Sequence, residues 1–304
     1  MINLLLIFVY LTAGKLLTTY KIVKPDFSAR LNFIVINFCL SAVALLNIPE
    51  LQFSNDLWMP ISVAWIVYIL AAVFFFVLQR LLHFDAATLG SLILCCGLFN
   101  STFVGFPVIE ALYGDEGLSI AIMTDQPGSF LVLSTLGVFT AAYFSSGNAN
   151  FIPIAKKIFS FPPFWIFILS VVMLRLGLKV PQPIDIPLSV LASLLTPLAL
   201  LSVGMQLDFS FDAALKTELL WGLVFKLFIA PTVIFISFYL LKKEVSLVMK
   251  VSVLQAAMAP MVSGSILAIN HQLNPKLSNA LIGIGIPLSF VTLAVWYVLL
   301  EFVF

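Results

Sequence analysis

Ten predominantly apolar runs, each near the length of a bilayer span, follow one another at about 2–20, 29–47, 58–81, 87–111, 117–143, 162–178, 187–207, 218–241, 247–270 and 277–303. Each crossing of the hydrocarbon core takes ~20 residues of helix, so ten crossings use about 200 residues and leave only short loops. A chain of 304 residues then has no room for an extramembrane domain. Only 10% of its residues are charged, far below the roughly 25% of a soluble domain, so no water-facing surface can be built from it. The expected fold class is an all-α polytopic membrane protein of ten transmembrane helices. The first of these, Met1 to Tyr20, lacks a charged n-region and a small-residue cleavage site, and reads as a span and not as a signal peptide.

Several classes of function are excluded at this stage. A net charge of +1, with lysines and arginines scattered along the chain, gives no basic surface for nucleic acid. Cys39, Cys95 and Cys96 all lie in apolar runs, and His83 and His271 stand at span ends without a Cys or His at ligand spacing. Neither a disulfide framework, a metal site nor a cofactor is expected. An intramembrane enzyme would need a metal cluster, paired carboxylates or a serine with a base, and the spans hold no such set. The expected partners are the lipid bilayer and a small solute.

The longest polar interruption, Ser145 to Ser160, contains Ser-Ser-Gly-Asn-Ala-Asn and the pair Lys156-Lys157. It divides the chain into a first five-helix repeat (1–144), a cytoplasmic linker (145–160) and a second five-helix repeat (161–304). Five spans per half bring the second half in from the opposite face, so a repeat must be inverted, which is a secondary-transporter architecture. The lysines and arginines set the orientation. With both termini outside, Lys21, Lys24, Arg30, Arg80, Lys156, Lys157, Lys216 and Lys276 fall inside, against Arg175, Lys179, Lys242 and Lys243 outside. A multi-pass protein of the cell membrane with external termini is expected.

Two spans are interrupted in corresponding places. The fourth reads Gly-Leu-Phe-Asn-Ser-Thr-Phe-Val-Gly-Phe-Pro (97–107), with Asn100, Ser101, Thr102, Gly105 and Pro107 where a continuous helix would be most apolar. The ninth reads Gln-Ala-Ala-Met-Ala-Pro-Met-Val-Ser-Gly-Ser (255–265), with Gln255, Pro260, Ser263 and Gly264. Proline removes a backbone donor and glycine admits backbone angles that other residues resist, so both stretches should unwind. Lipid cannot satisfy unwound backbone, which is tolerated at mid-membrane depth only against protein or a wet cavity. Two broken helices crossing at their breaks meet that condition. Helices starting near Pro107 and near Ser263 would then aim positive N-terminal ends at a shared centre, which favours an anionic group such as a carboxylate. Asn100 offers a side-chain donor there, or caps the following half-helix.

Three ionisable residues lie inside spans: Lys15, Asp125 and Lys226. Lys15, near its span's end, is expected to snorkel. Asp125, within Met-Thr-Asp-Gln-Pro-Gly (123–128), and Lys226, five residues before Pro231, are too deep for that. They are candidate coupling groups, as an ion pair or separately. Gln126, beside the same Pro127, is a candidate substrate contact.

With these motifs in view the chain resembles the auxin efflux carrier family, bacterial members included. The resemblance rests on Asn100 to Pro107 followed by Ala111-Leu-Tyr-Gly114, on Pro197-Leu-Ala-Leu-Leu-Ser-Val-Gly204, on Lys226 with Pro231, on Gln255-Ala-Ala-Met258 and on Pro287. It implies an inverted five-plus-five fold similar to sodium/proton antiporters and bile acid transporters. In that fold helices 1, 2, 6 and 7 form a scaffold, through which a homodimer can form, and helices 3–5 and 8–10 form a transport domain with an elevator-like shift. It also implies efflux of an organic anion, bound by its carboxylate at the crossing, where Asn100 and Pro107 match crossing positions, with Gln126 at a binding-pocket position of the fifth span and Lys226 at a basic position. Ala259-Pro260 departs from the Pro-Gln of plant members. Proton coupling, sodium coupling, cation/proton antiport through Asp125 and Lys226, and uncoupled anion facilitation stay open.

Overall fold

A computed structural model describes residues 2–24, 26–51, 55–146, 162–207 and 212–303. From Gly147 onward the expected linker lies outside the described residues. Regular structure among the described residues is helical, as apolar sequence requires when its backbone must find partners within its own segment. Six helical segments are long and apolar enough to cross a membrane: Phe27–Glu50, Trp58–Leu82, Ser101–Ser145, Gln182–Gln206, Ala213–Lys242 and Pro275–Phe302. Shorter apolar helices cover Leu6–Thr19, Ala86–Cys96, Pro162–Leu176 and Leu247–Ala256.

The segments are not uniform α-helix. Wider π turns occupy Ser101–Gly105, Asp125–Phe130 and Phe225–Ile229, each just before or around a proline: Pro107, Pro127 and Pro231. Proline has no N–H to give the carbonyl four residues back, and its ring clashes with that carbonyl, so the preceding turn widens. The case of Pro231 shows the consequence. The carbonyl it leaves free is that of Leu227, which accepts instead from the Trp296 indole N–H at 3.1 Å. Between the expected fourth and fifth spans there is no extended loop. The turn is made at Gly114, whose φ of 64° and ψ of −156° lie where only glycine is comfortable.

The chain divides into two compact units. The first comprises Met1–Leu57, Thr102–Ile122 and Ile158–Leu207. Here α1 (Ile2–Thr19) lies along α10 (Leu195–Gln206), with Gly14 against the Leu201 carbonyl and Gly204 against the Leu11 carbonyl. A Cβ at either glycine would collide with backbone, so these two positions set how closely the helices approach. Lys15 does not simply snorkel: its ammonium donates to the Leu207 carbonyl at 2.6 Å, just past the C-terminal end of α10.

The second unit comprises Trp58–Ser101, Met123–Lys157 and Asp208–Phe304. At its centre α5 (Ala86–Cys96) packs against α4 (Trp58–Leu82), α7 (Val138–Ser146), α14 (Val262–Asn270) and α15 (Pro275–Val298). Its core joins Phe74, Phe75 and Phe225, with ring centroids 5.0 Å apart across both Phe74–Phe225 and Phe75–Phe225. Tyr68 donates its hydroxyl to Thr140 Oγ1 at 2.7 Å, and the Trp65 indole donates to the Pro127 carbonyl at 3.1 Å. The first bond ties α7 to α4, and the second holds the Asp125 turn against α4.

Candidate functional site

Both expected interruptions are present in the second unit. Helix α5 stops at Cys96, and residues 97–100 leave the helical path before winding resumes at Ser101. Helix α13 (Leu247–Ala256) stops at Ala256, and α14 starts at Val262. The two breaks are hydrogen-bonded to each other. The Asn100 N–H donates to the Ala259 carbonyl and the Met261 N–H to the Cys95 carbonyl, both at 3.0 Å, with Phe99 and Pro260 paired between them. Unwound backbone that lipid could not satisfy is thus satisfied by the other break. The approach leaves no slack: a Cβ on Gly264 would collide with the Leu94 carbonyl, and one on Gly285 would lie 2.8 Å from the Pro260 ring.

The helix after the first break begins earlier than expected. Winding resumes at Ser101 as a π turn, so Gly105 and Pro107 lie inside the helix and not at its entrance. The widened turn explains this, because it absorbs the missing Pro107 donor without unwinding. Thr102, Gly105 and Pro107 belong to the first unit, whereas Asn100, Ser101, Asp125, Gln126, Lys226, Gln255, Pro260 and Ser263 belong to the second. Ser263 sits in the first turn of α14, after the Met261 cap position.

Around the paired breaks the side chains are polar and buried. Asn100 is 2% exposed, Gln126 1% and Gln255 0%. The Asp125 carboxylate draws two of these segments together: the Ser101 hydroxyl donates to one oxygen, and Gln126 Nε2 donates to the other at 2.8 Å. Other polar atoms find no hydrogen-bond partner in the structure: Asn100 Nδ2, Gln126 Oε1 and both amide atoms of Gln255. An unsatisfied buried polar atom costs about 1–3 kcal/mol, so several near the breaks call for partners such as a bound solute or water.

Lys226 is fully buried in the Phe225–Ile229 turn. Its ammonium donates to the Ala256 carbonyl at 2.8 Å and lies 4.9 Å from the centroid of the Phe99 ring. Ala256 ends α13, where the helix dipole is negative, so the cation both caps one broken helix and covers the other break. Phe99 was not singled out in the sequence, although an aromatic between Gly97 and Asn100 is the signal for it. Ser129 was also passed over. It is buried without a partner four residues after Asp125, in the same widened turn.

Among the described residues no group of three or more His, Cys, Asp or Glu is placed to hold a metal ion. The first unit has an open cavity of about 440 Å³ lined by Asn47, Glu50, Asp115, Glu116 and Ser119. Its carboxylates disfavour an anion, in contrast to the amides and the lysine of the second unit.

A family model described as membrane transport protein matches residues 1–297. An uncharacterized transporter of Methanocaldococcus jannaschii is 28% identical over 307 residues, covering 96% of each chain. One of Methanothermobacter thermautotrophicus is 28% identical over 302 residues, covering 98% of this chain and 97% of its own. One of Escherichia coli is 23% identical over 315 residues, covering 97% and 95%.

Proposed function

Because the chain belongs to the membrane transport protein family, of the auxin efflux carrier type, we propose that it is a secondary transporter that exports a small organic anion from a site at the paired breaks. One observation carries the reading. Asn100 Nδ2 is a buried donor without a partner, on backbone that is itself hydrogen-bonded across the breaks. Such a donor, next in sequence to the Phe99 ring that the Lys226 ammonium covers and on backbone bonded to the segment leading into α14, suits a carboxylate. It does not suit a cation, which sets the anion carrier ahead of a cation/proton antiporter.

In this reading the ten apolar segments form an inverted five-plus-five repeat. The run Ser101–Ser145 supplies the end of the fourth span and the whole of the fifth, turning at Gly114. A straight helix of that length would measure roughly 67 Å, about twice the hydrocarbon core. Helices 1, 2, 6 and 7 are the scaffold, with a homodimer through them, and helices 3–5 and 8–10 are the transport domain that shifts as an elevator. Both termini face outward at the cell membrane.

Coupling to protons runs through Asp125, the sole buried acidic side chain among the described residues, with Lys226 as the buried basic side chain at the breaks. The test is counterflow in proteoliposomes loaded with labelled carboxylates. Saturable exchange that a carboxylate on the far side accelerates is the expected result. Fast uptake without counterflow, or exchange of cations alone, overturns the proposal.

A further inference from the structure

The polar atoms left over at the breaks do not all have the same polarity. Asn100 Nδ2 is a donor, whereas Gln126 Oε1 is an acceptor. The orientation of Gln126 follows from chemistry, because an ionised carboxylate can only accept. Asp125 therefore takes the amide nitrogen of Gln126, at 2.8 Å, and turns the amide oxygen away from itself. The other Asp125 oxygen takes the hydroxyl of Ser101, the residue next to Asn100. One carboxylate thus sets the acceptor that Gln126 presents and binds the residue next to the unpartnered donor of Asn100, and both the Asn100 and Gln126 side chains are at least nine-tenths buried. Gln255, fully buried with both amide atoms unpartnered, adds one group of each kind at the end of α13.

A plain carboxylate supplies acceptors only. It would satisfy Asn100 Nδ2 and leave Gln126 Oε1 buried and unbonded, which is the arrangement by which polar sites reject an analogue lacking a hydroxyl or N–H. We infer that the transported anion carries a hydrogen-bond donor of its own, a hydroxyl or N–H close to its carboxylate, and that Gln126 Oε1, held by Asp125, reads it. The inference rests on the anion reading above and narrows its substrate class. Asp125 is here a positioning residue, acting through Gln126.

The experiment compares acids that differ at one group: succinate, hydroxysuccinate and methoxysuccinate, with propionate, lactate and methoxypropionate as the monocarboxylate set. Each is titrated against the purified wild-type protein by ligand-induced thermal stabilisation, and repeated with Gln126→Met and Asp125→Asn. The hydroxy acid of the better-bound set should bind at least about tenfold more tightly than both its deoxy and methoxy analogues. The methoxy compound keeps the size and the acceptor but not the donor. In both variants the preference for the hydroxy acid over its deoxy analogue should fall to about twofold or less. Equal binding of all three members in wild type overturns the inference and leaves the anion reading standing, whereas no binding by either set overturns both. A preference that persists in Gln126→Met overturns the assignment to Gln126.

Discussion

The backbone N–H of Asn100 donates to the carbonyl of Ala259 over 3.0 Å, so the break in one half of the chain is closed by the break in the other. The proposed binding groups and the packing of the second unit therefore depend on the same few backbone bonds. A substitution that spreads the breaks should harm both.

Gly264 is where that dependence is most exposed, because a Cβ there meets the Leu94 carbonyl and not a side chain that can turn aside. Gly264→Ala should destabilise the protein by about 1–3 kcal/mol, as overpacking does. A thermal midpoint in detergent lowered by several degrees, together with weaker carboxylate binding, is the expected pair of results.

The two buried-end lysines should separate in their effects. Lys15 donates to the Leu207 carbonyl in the first unit, and Lys226 to the Ala256 carbonyl beside the breaks. Lys15→Met should lower the thermal midpoint while leaving anion affinity unchanged, since a charged cap is worth about 1 kcal/mol. Lys226→Met should weaken anion binding at least about tenfold, and Lys226→Arg should restore most of it by keeping the charge. Titration of one carboxylate against all three variants checks both statements.

Asp125→Asn removes the buried carboxylate and keeps its size. Transport by the variant should no longer move protons with the anion, and its rate should lose dependence on an imposed pH gradient. Parallel recordings of internal pH and labelled anion in proteoliposomes measure this. Unchanged pH dependence at full activity would remove Asp125 from coupling.

Gly114 tests the turn between the expected fourth and fifth spans. An added methyl there meets nothing within 4 Å, yet its positive φ of 64° strains any other residue. Gly114→Ala should therefore cost about 1–3 kcal/mol through backbone strain alone. Equal thermal midpoints for the variant and wild type would show that the turn is made elsewhere.

Much of this was legible in the sequence, because burial in lipid leaves few ways to arrange apolar residues. The helical segments follow the apolar runs, and the interruptions fall where Asn100 and Pro260 lie. Pro107 lies inside its helix and not at the entrance expected from the sequence, since a proline signals a helix start only when the preceding turn cannot widen. Partners across the fold were not legible. Leu207 is 192 residues from Lys15, and Ala259 also lies in the other half of the chain from Asn100, so only packing of the helices could reveal them. The polarity that Gln126 presents was also hidden, because it is decided by the Asp125 carboxylate and not by glutamine itself.

The central claim is that the paired breaks hold a carboxylate through Asn100. Thermal stabilisation of the purified carrier by a carboxylate panel, in wild type and in Asn100→Ala, tests it most directly. The account predicts that at least one carboxylate stabilises wild type in a saturable way and that Asn100→Ala loses most of the stabilisation while remaining folded. Stabilisation of equal size and midpoint in Asn100→Ala would contradict it.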